Sequence, residues 1–136
     1  MLQNKFKKKI RKSCKKKESS DENTEIVKIL APLTDNPNAP DIDGETPIHW
    51  AAENGHTEIV KILAPLTDYP NAPDDCGTTP IQKAASNGHT EIIKILAPLT
   101  DNPNAPDIYV RTPIFSAASN GHTEIVKILA PFDGQS

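Results

Sequence analysis

Three histidines, His56, His89 and His122, recur at intervals of 33 residues in a chain of 136. Imidazole is a common zinc ligand, so a recurring set of three is the first constellation to test for metal chemistry. If each sits on its own helix in a stack, neighbouring helices lie about 8–10 Å apart. One zinc holds every ligand nitrogen at about 2.1 Å. The three therefore cannot share a metal within one chain, and each is expected to bond the loop that connects two helices. His49, four residues before Glu53, has the spacing of an acid–base pair on one helical face. Cys76 stands beside Asp74 and Asp75, whose negative charge would raise a thiol pKa rather than generate a thiolate. No glycine-rich phosphate loop, HExxH or GxSxG motif occurs. The expectation is a non-catalytic protein with no cofactor and no bound metal.

The elements that position these residues repeat as they do. PLTDNPNAP (32–40), PLTDYPNAP (65–73) and PLTDNPNAP (98–106) share the period of 33, as do the Thr-Pro pairs at 46, 79 and 112. GHTEIVKILAP recurs from 55, 88 and 121 with a single Val-to-Ile change, and NTEIVKILAP (23–32) is half of a further copy. A fixed period of this length marks a stack of small units, none able to bury its own apolar face. Within one unit, Thr46 is placed to cap a helix and Pro47 suits its first turn. Asn54-Gly55 ends that helix. Ile59, Ile62 and Leu63 then mark one face of a second helix, which Pro65 breaks. The residues that follow run extended into a protruding turn.

The segment DIDGETPIHWAAENGHTEIVKILAPLTDYPNAP (41–73) resembles the ankyrin repeat, D-x-x-G-x-T-P-L-H-x-A-A-x-x-G-H-x-x-I-V-x-x-L, at nearly every defining position. The resemblance covers about residues 23–136 and is most specific over 41–131. It implies an all-α solenoid of helix-turn-helix repeats whose turn tips and first helices line a concave binding surface. It also implies that His49 braces neighbouring turns. Residues 1–40 are then an N-terminal capping region, followed by repeats at 41–73, 74–106 and 107–136, together one domain. The chain departs from the family pattern at Thr34, Thr67 and Thr100, where a glycine is usual. Gln82 and Phe115 stand at the brace position, and Val110 replaces the turn glycine.

Charge is divided along the chain. The first 17 residues hold eight lysines and one arginine with no acid, while the remainder carries an excess of twelve acidic residues, for a net charge of −3. Leu2, Phe6, Ile10 and Cys14, spaced by four, put a narrow apolar stripe on this basic helix. A solubilising cap is the expectation, ahead of a tether to nucleic acid or anionic lipid. Phe6 is the one aromatic residue among the lysines, which disfavours base stacking. No apolar run approaches a membrane span. Cys14 and Cys76 do not form a disulfide framework, which fits a reducing, cytosol-like location.

Identical segments do what every repeat needs, so function is sought where the copies differ. Those differences fall in the turns, IDGE (42–45), DCGT (75–78) and IYVR (108–111), and in the pairs His49-Trp50, Gln82-Lys83 and Phe115-Ser116. Tyr69 replaces an asparagine before the second turn. Ile42, Trp50, Tyr69, Cys76, Ile108, Tyr109, Val110, Arg111 and Phe115 are the candidate contact residues, gathered on roughly one side of the stack. Aromatics with an arginine among them have the composition of an interface centre. The expected function is protein binding, to another protein or to a second copy of the chain. The near-identity of the scaffold points to an engineered array; a recent tandem duplication would look similar.

Overall fold

A computed structural model describes residues 2–18 and 20–132. Among them eight α-helices follow in order: α1 (Leu2–Lys15), α2 (Asp21–Leu30), α3 (Pro47–Asn54), α4 (Thr57–Leu63), α5 (Pro80–Asn87), α6 (Thr90–Leu96), α7 (Pro113–Ser119) and α8 (Thr123–Leu129). Each of α2, α4, α6 and α8 runs on into a 3-10 turn, and no strand occurs among the described residues. The helices stack in two rows. α1, α3, α5 and α7 pack in succession in one, and α2, α4, α6 and α8 in the other.

Each repeat forms for local reasons that the sequence carries. Thr46, Thr79 and Thr112 are extended residues whose hydroxyls accept the amide of the third helical position. The proline after each needs no amide partner. Gly55 and Gly88 end α3 and α5 in the left-handed conformation, at φ 76° and 78°. Between the rows lies a fully buried core led by Ile48, Ile81, Ile59, Leu63, Ile92, Leu96, Ile125 and Leu129. Burying each such side chain contributes about 1.5–3 kcal/mol before the entropy of ordering is set against it.

The recurrent histidines act one repeat further back than their own connecting loops. His89 Nε2 meets the carbonyl of Glu53 at 3.0 Å and His122 Nε2 that of Ser86 at 3.3 Å. His56 does the same to Lys16, just after α1. Gly55 is required twice over: by its φ, and because a Cβ there would stand 2.7 Å from the His89 ring.

The basic helix α1 takes the place of a first helix, and half of its apolar stripe is engaged. Ile10 and Cys14 are fully buried, Phe6 is half-buried and Leu2 is 63% exposed. Asn54 Nδ2 donates to the Cys14 carbonyl, and Gln3 bonds both the Leu33 carbonyl and the Asp35 amide. Lys7 pairs with Asp35 at 3.0 Å.

Candidate protein-binding surface

The protruding turns are held by one aspartate each. Asp41 Oδ1 accepts the amides of Asp43 and Glu45, Asp74 Oδ1 those of Cys76 and Thr78, and Asp107 Oδ1 those of Tyr109 and Arg111, all at 2.9 Å. Backbone bonds then tie tip to tip: Asp75 N–H donates to the Asp43 carbonyl and Ile108 N–H to the Cys76 carbonyl, each at 3.0 Å. The tips thus form a ribbon along the stack, and this ribbon displays Ile42, Cys76, Ile108, Tyr109, Val110 and Arg111. Ile42 is 96% exposed and Val110 81%.

The third turn keeps the geometry of the other two. Val110 has φ 61°, against 78° at Gly44 and 76° at Gly77. The Val110 amide still donates to the Asp107 carbonyl. This turn adds contacts the others lack: Arg111 Nε reaches Asp107 Oδ2 at 2.8 Å, and the guanidinium lies 5.0 Å from the Tyr109 ring centre. Burial pushes the Asp107 carboxyl up, but its bonds from the Arg111 amide, the Arg111 side chain and the Tyr109 amide outweigh that and leave its pKa lowered.

The remaining candidates lie in other places. Trp50 is half-buried in the first-helix row, with Lys15 and Lys83 ammonium groups 5.0 and 6.0 Å from its ring. Its indole N–H is buried without a partner among the described residues. Lys83 in turn pairs with Glu53 at 3.2 Å and Glu45 at 3.7 Å. Tyr69 is exposed in the long connection, where it shares grooves with Asn36, Thr67 and Gly44. Phe115 occupies the position at which His49 and Gln82 are buried between repeats, and is 61% exposed on the end of the stack. The nine candidates therefore divide among the tip ribbon, the first-helix row, a loop groove and the terminal face.

Sequence reasoning missed the pairing of His49 in detail. Its Nδ1 accepts from the Thr46 amide at 3.1 Å and its Nε2 donates to the Thr78 carbonyl at 2.7 Å, so the ring is neutral with its proton on Nε2. Burial lowers its pKa below the usual 6.5, outweighing the opposing bond to the Thr78 carbonyl. Gln82 makes no such brace. Its Nε2 donates to Ser116 Oγ, and its Oε1 is buried without a partner among the described residues. The two cysteines also differ: Cys76 is exposed, whereas burial pushes the Cys14 thiol up to about 12. Among the described residues no three His, Cys, Asp or Glu side chains cluster to hold a metal, and no helix is long and apolar enough to cross a membrane.

Paired helices stacked in two rows, with a hydrogen-bonded ribbon of turns along one edge, define a helical-repeat solenoid. The family model described as ankyrin repeats, in three copies, matches residues 17–74 and 66–136, and the chain belongs to that family. Ankyrin repeats are in general protein–protein interaction modules. Among curated proteins none matches the chain.

Proposed function

We propose that the chain is a non-catalytic binding scaffold that grips another protein through its turn tips and first helices. The observation that carries this reading is where the copies diverge. Scaffold positions are alike almost to the letter, while the tip ribbon carries Ile42, Cys76, Ile108, Tyr109 and Val110, apolar or aromatic and open to solvent. Exposed apolar side chains gathered in one strip mark interaction surfaces. The uniform frame with a rewritten edge is what an engineered array has, and equally what a recent tandem duplication has. Self-association belongs to the same reading, since an apolar strip can meet a copy of itself.

The cysteines provide the test. With Cys14 buried, a photoreactive maleimide attaches to Cys76 in the middle of the ribbon. Illumination should join the chain to a discrete protein. A control carries Lys94→Cys together with Cys76→Ser, which moves the label to an exposed position on the opposite helix row. That label should capture nothing. Equal cross-linking from both positions, or none from Cys76, would contradict the proposal. A tether through the basic helix α1 is the second reading, favoured by the exposure of Lys5, Lys8, Lys9 and Lys12; its binding would fade steeply with salt.

A further inference from the structure

The end of the stack formed by α7 and α8 is built like an interior face, yet among the described residues no repeat lies on it. Ala52 and Ala85 are fully buried beneath the next repeat, whereas their counterpart Ala118 is exposed. Val60 and Ile93 are likewise fully buried, while Val126 is only half-buried. A Cβ on Gly55 or Gly88 would strike the next histidine ring; on Gly121 it would meet nothing within 4 Å among the described residues. The Asp43 and Cys76 carbonyls each accept an amide from the next tip. The Tyr109 carbonyl accepts no backbone amide among the described residues. Phe115 makes the face more apolar than the histidine or glutamine it replaces.

Charge decides what can cover this face. The opposite end of the stack is α1 and α2, and α1, which would meet α7 of another copy, exposes Lys5, Lys8, Lys9 and Lys12 with no acid in the first 17 residues. Head-to-tail stacking of copies would press those ammonium groups against Phe115 and Ala118 of α7, and burying unpaired charge is costly. Pairing two α1 helices would set like charges against each other. Ile114, Phe115, Ala118 and Val126 are all uncharged, so two such faces meet without either penalty. The small Ala118 side chain lets two α7 helices approach closely.

We propose that the chain forms a symmetric dimer, end to end, with α7 and α8 of one copy against α7 and α8 of another. The contact is isologous and closes on itself. It rests on the reading of the chain as a protein binder and names a second copy as the occupant of this end. The tip ribbon from Ile42 to Cys76 stays free for other proteins.

Light scattering on the full chain, eluted over a wide range of loading concentrations, tests this. The expected mass rises from 14.8 kDa to twice that value and stops there. Ala118→Lys, at an exposed helical position, should hold the mass at that of one chain, with the parent's unfolding midpoint when both are compared at a dilution that leaves the parent a single chain. Leu66→Lys, exposed in the turn after α4 and outside both the ribbon and the α7–α8 face, should leave the dimer intact. A single-chain mass at every concentration would overturn the proposal. So would a mass that climbs without limit, as head-to-tail stacking requires, or a dimer indifferent to Ala118→Lys. Cross-linking from Cys76 to a foreign protein is read separately, so failure of the dimer leaves the scaffold reading standing or falling on its own result.

Discussion

At Val110 a β-branched residue occupies a backbone conformation that elsewhere among the described residues belongs to glycine, with φ 61°. Left-handed backbone costs an L-residue about 1–2 kcal/mol. The turn does not rearrange to avoid it, because Asp107 holds both flanking amides and the Arg111 side chain. Val110→Gly should therefore raise stability by about 1 kcal/mol in denaturant unfolding, the relief of strain being partly offset by glycine's freedom in the unfolded chain. An unchanged or lowered stability would mean that the turn bears no strain. The substitution was legible in the sequence as a broken pattern. Its conformation was not, since a lost glycine is equally compatible with a rebuilt turn, and the aspartate that prevents rebuilding sits three residues away.

Between elements, the brace at the start of the first helices carries a pH dependence. His49 links α3 to the second turn as a neutral ring, and its folded pKa lies below the unfolded value of about 6.5. A base with a depressed folded pKa contributes stability that is present above the unfolded pKa and lost as pH falls. The unfolding midpoint should thus decline as pH falls below the unfolded value of about 6.5. His49→Gln, which copies what already stands at Gln82, should flatten that decline. A decline of the same steepness in the variant would move the cause elsewhere. Asp107 and Asp35, with lowered pKa values, lose their contribution only at more acid pH, while Glu45, raised chiefly by burial, acts in the opposite direction. Helix positions and caps were readable from the Thr-Pro pairs, the glycines and the period. The cap helix was half-readable: spacing by four marked its stripe, but only Ile10 and Cys14 of it join the buried core, while Phe6 is half-buried and Leu2 exposed.

For the whole molecule, period and resemblance together make the solenoid legible in the sequence. What they could not convey was how the divergent residues share the surface. Tip residues and Phe115 alternate in the sequence with the same period, so the sequence groups them as one set. The stack separates them, because the brace position faces the neighbouring repeat, and among the described residues none lies against Phe115. Trp50 was another such case, its ring taken up by two lysines rather than left open. The central claim is that a uniform frame displays a few side chains for protein contact, and hydroxyl-radical footprinting addresses it most directly. Oxidation at Ile108, Tyr109, Val110 and Phe115 is compared between the dilute chain and the chain in any assembly it enters, with itself or with the protein cross-linked through Cys76. These residues should become protected on assembly while Leu66 and Leu99, in the 3-10 turns after α4 and α6, do not change. Undiminished oxidation at all four in every assembly would contradict it.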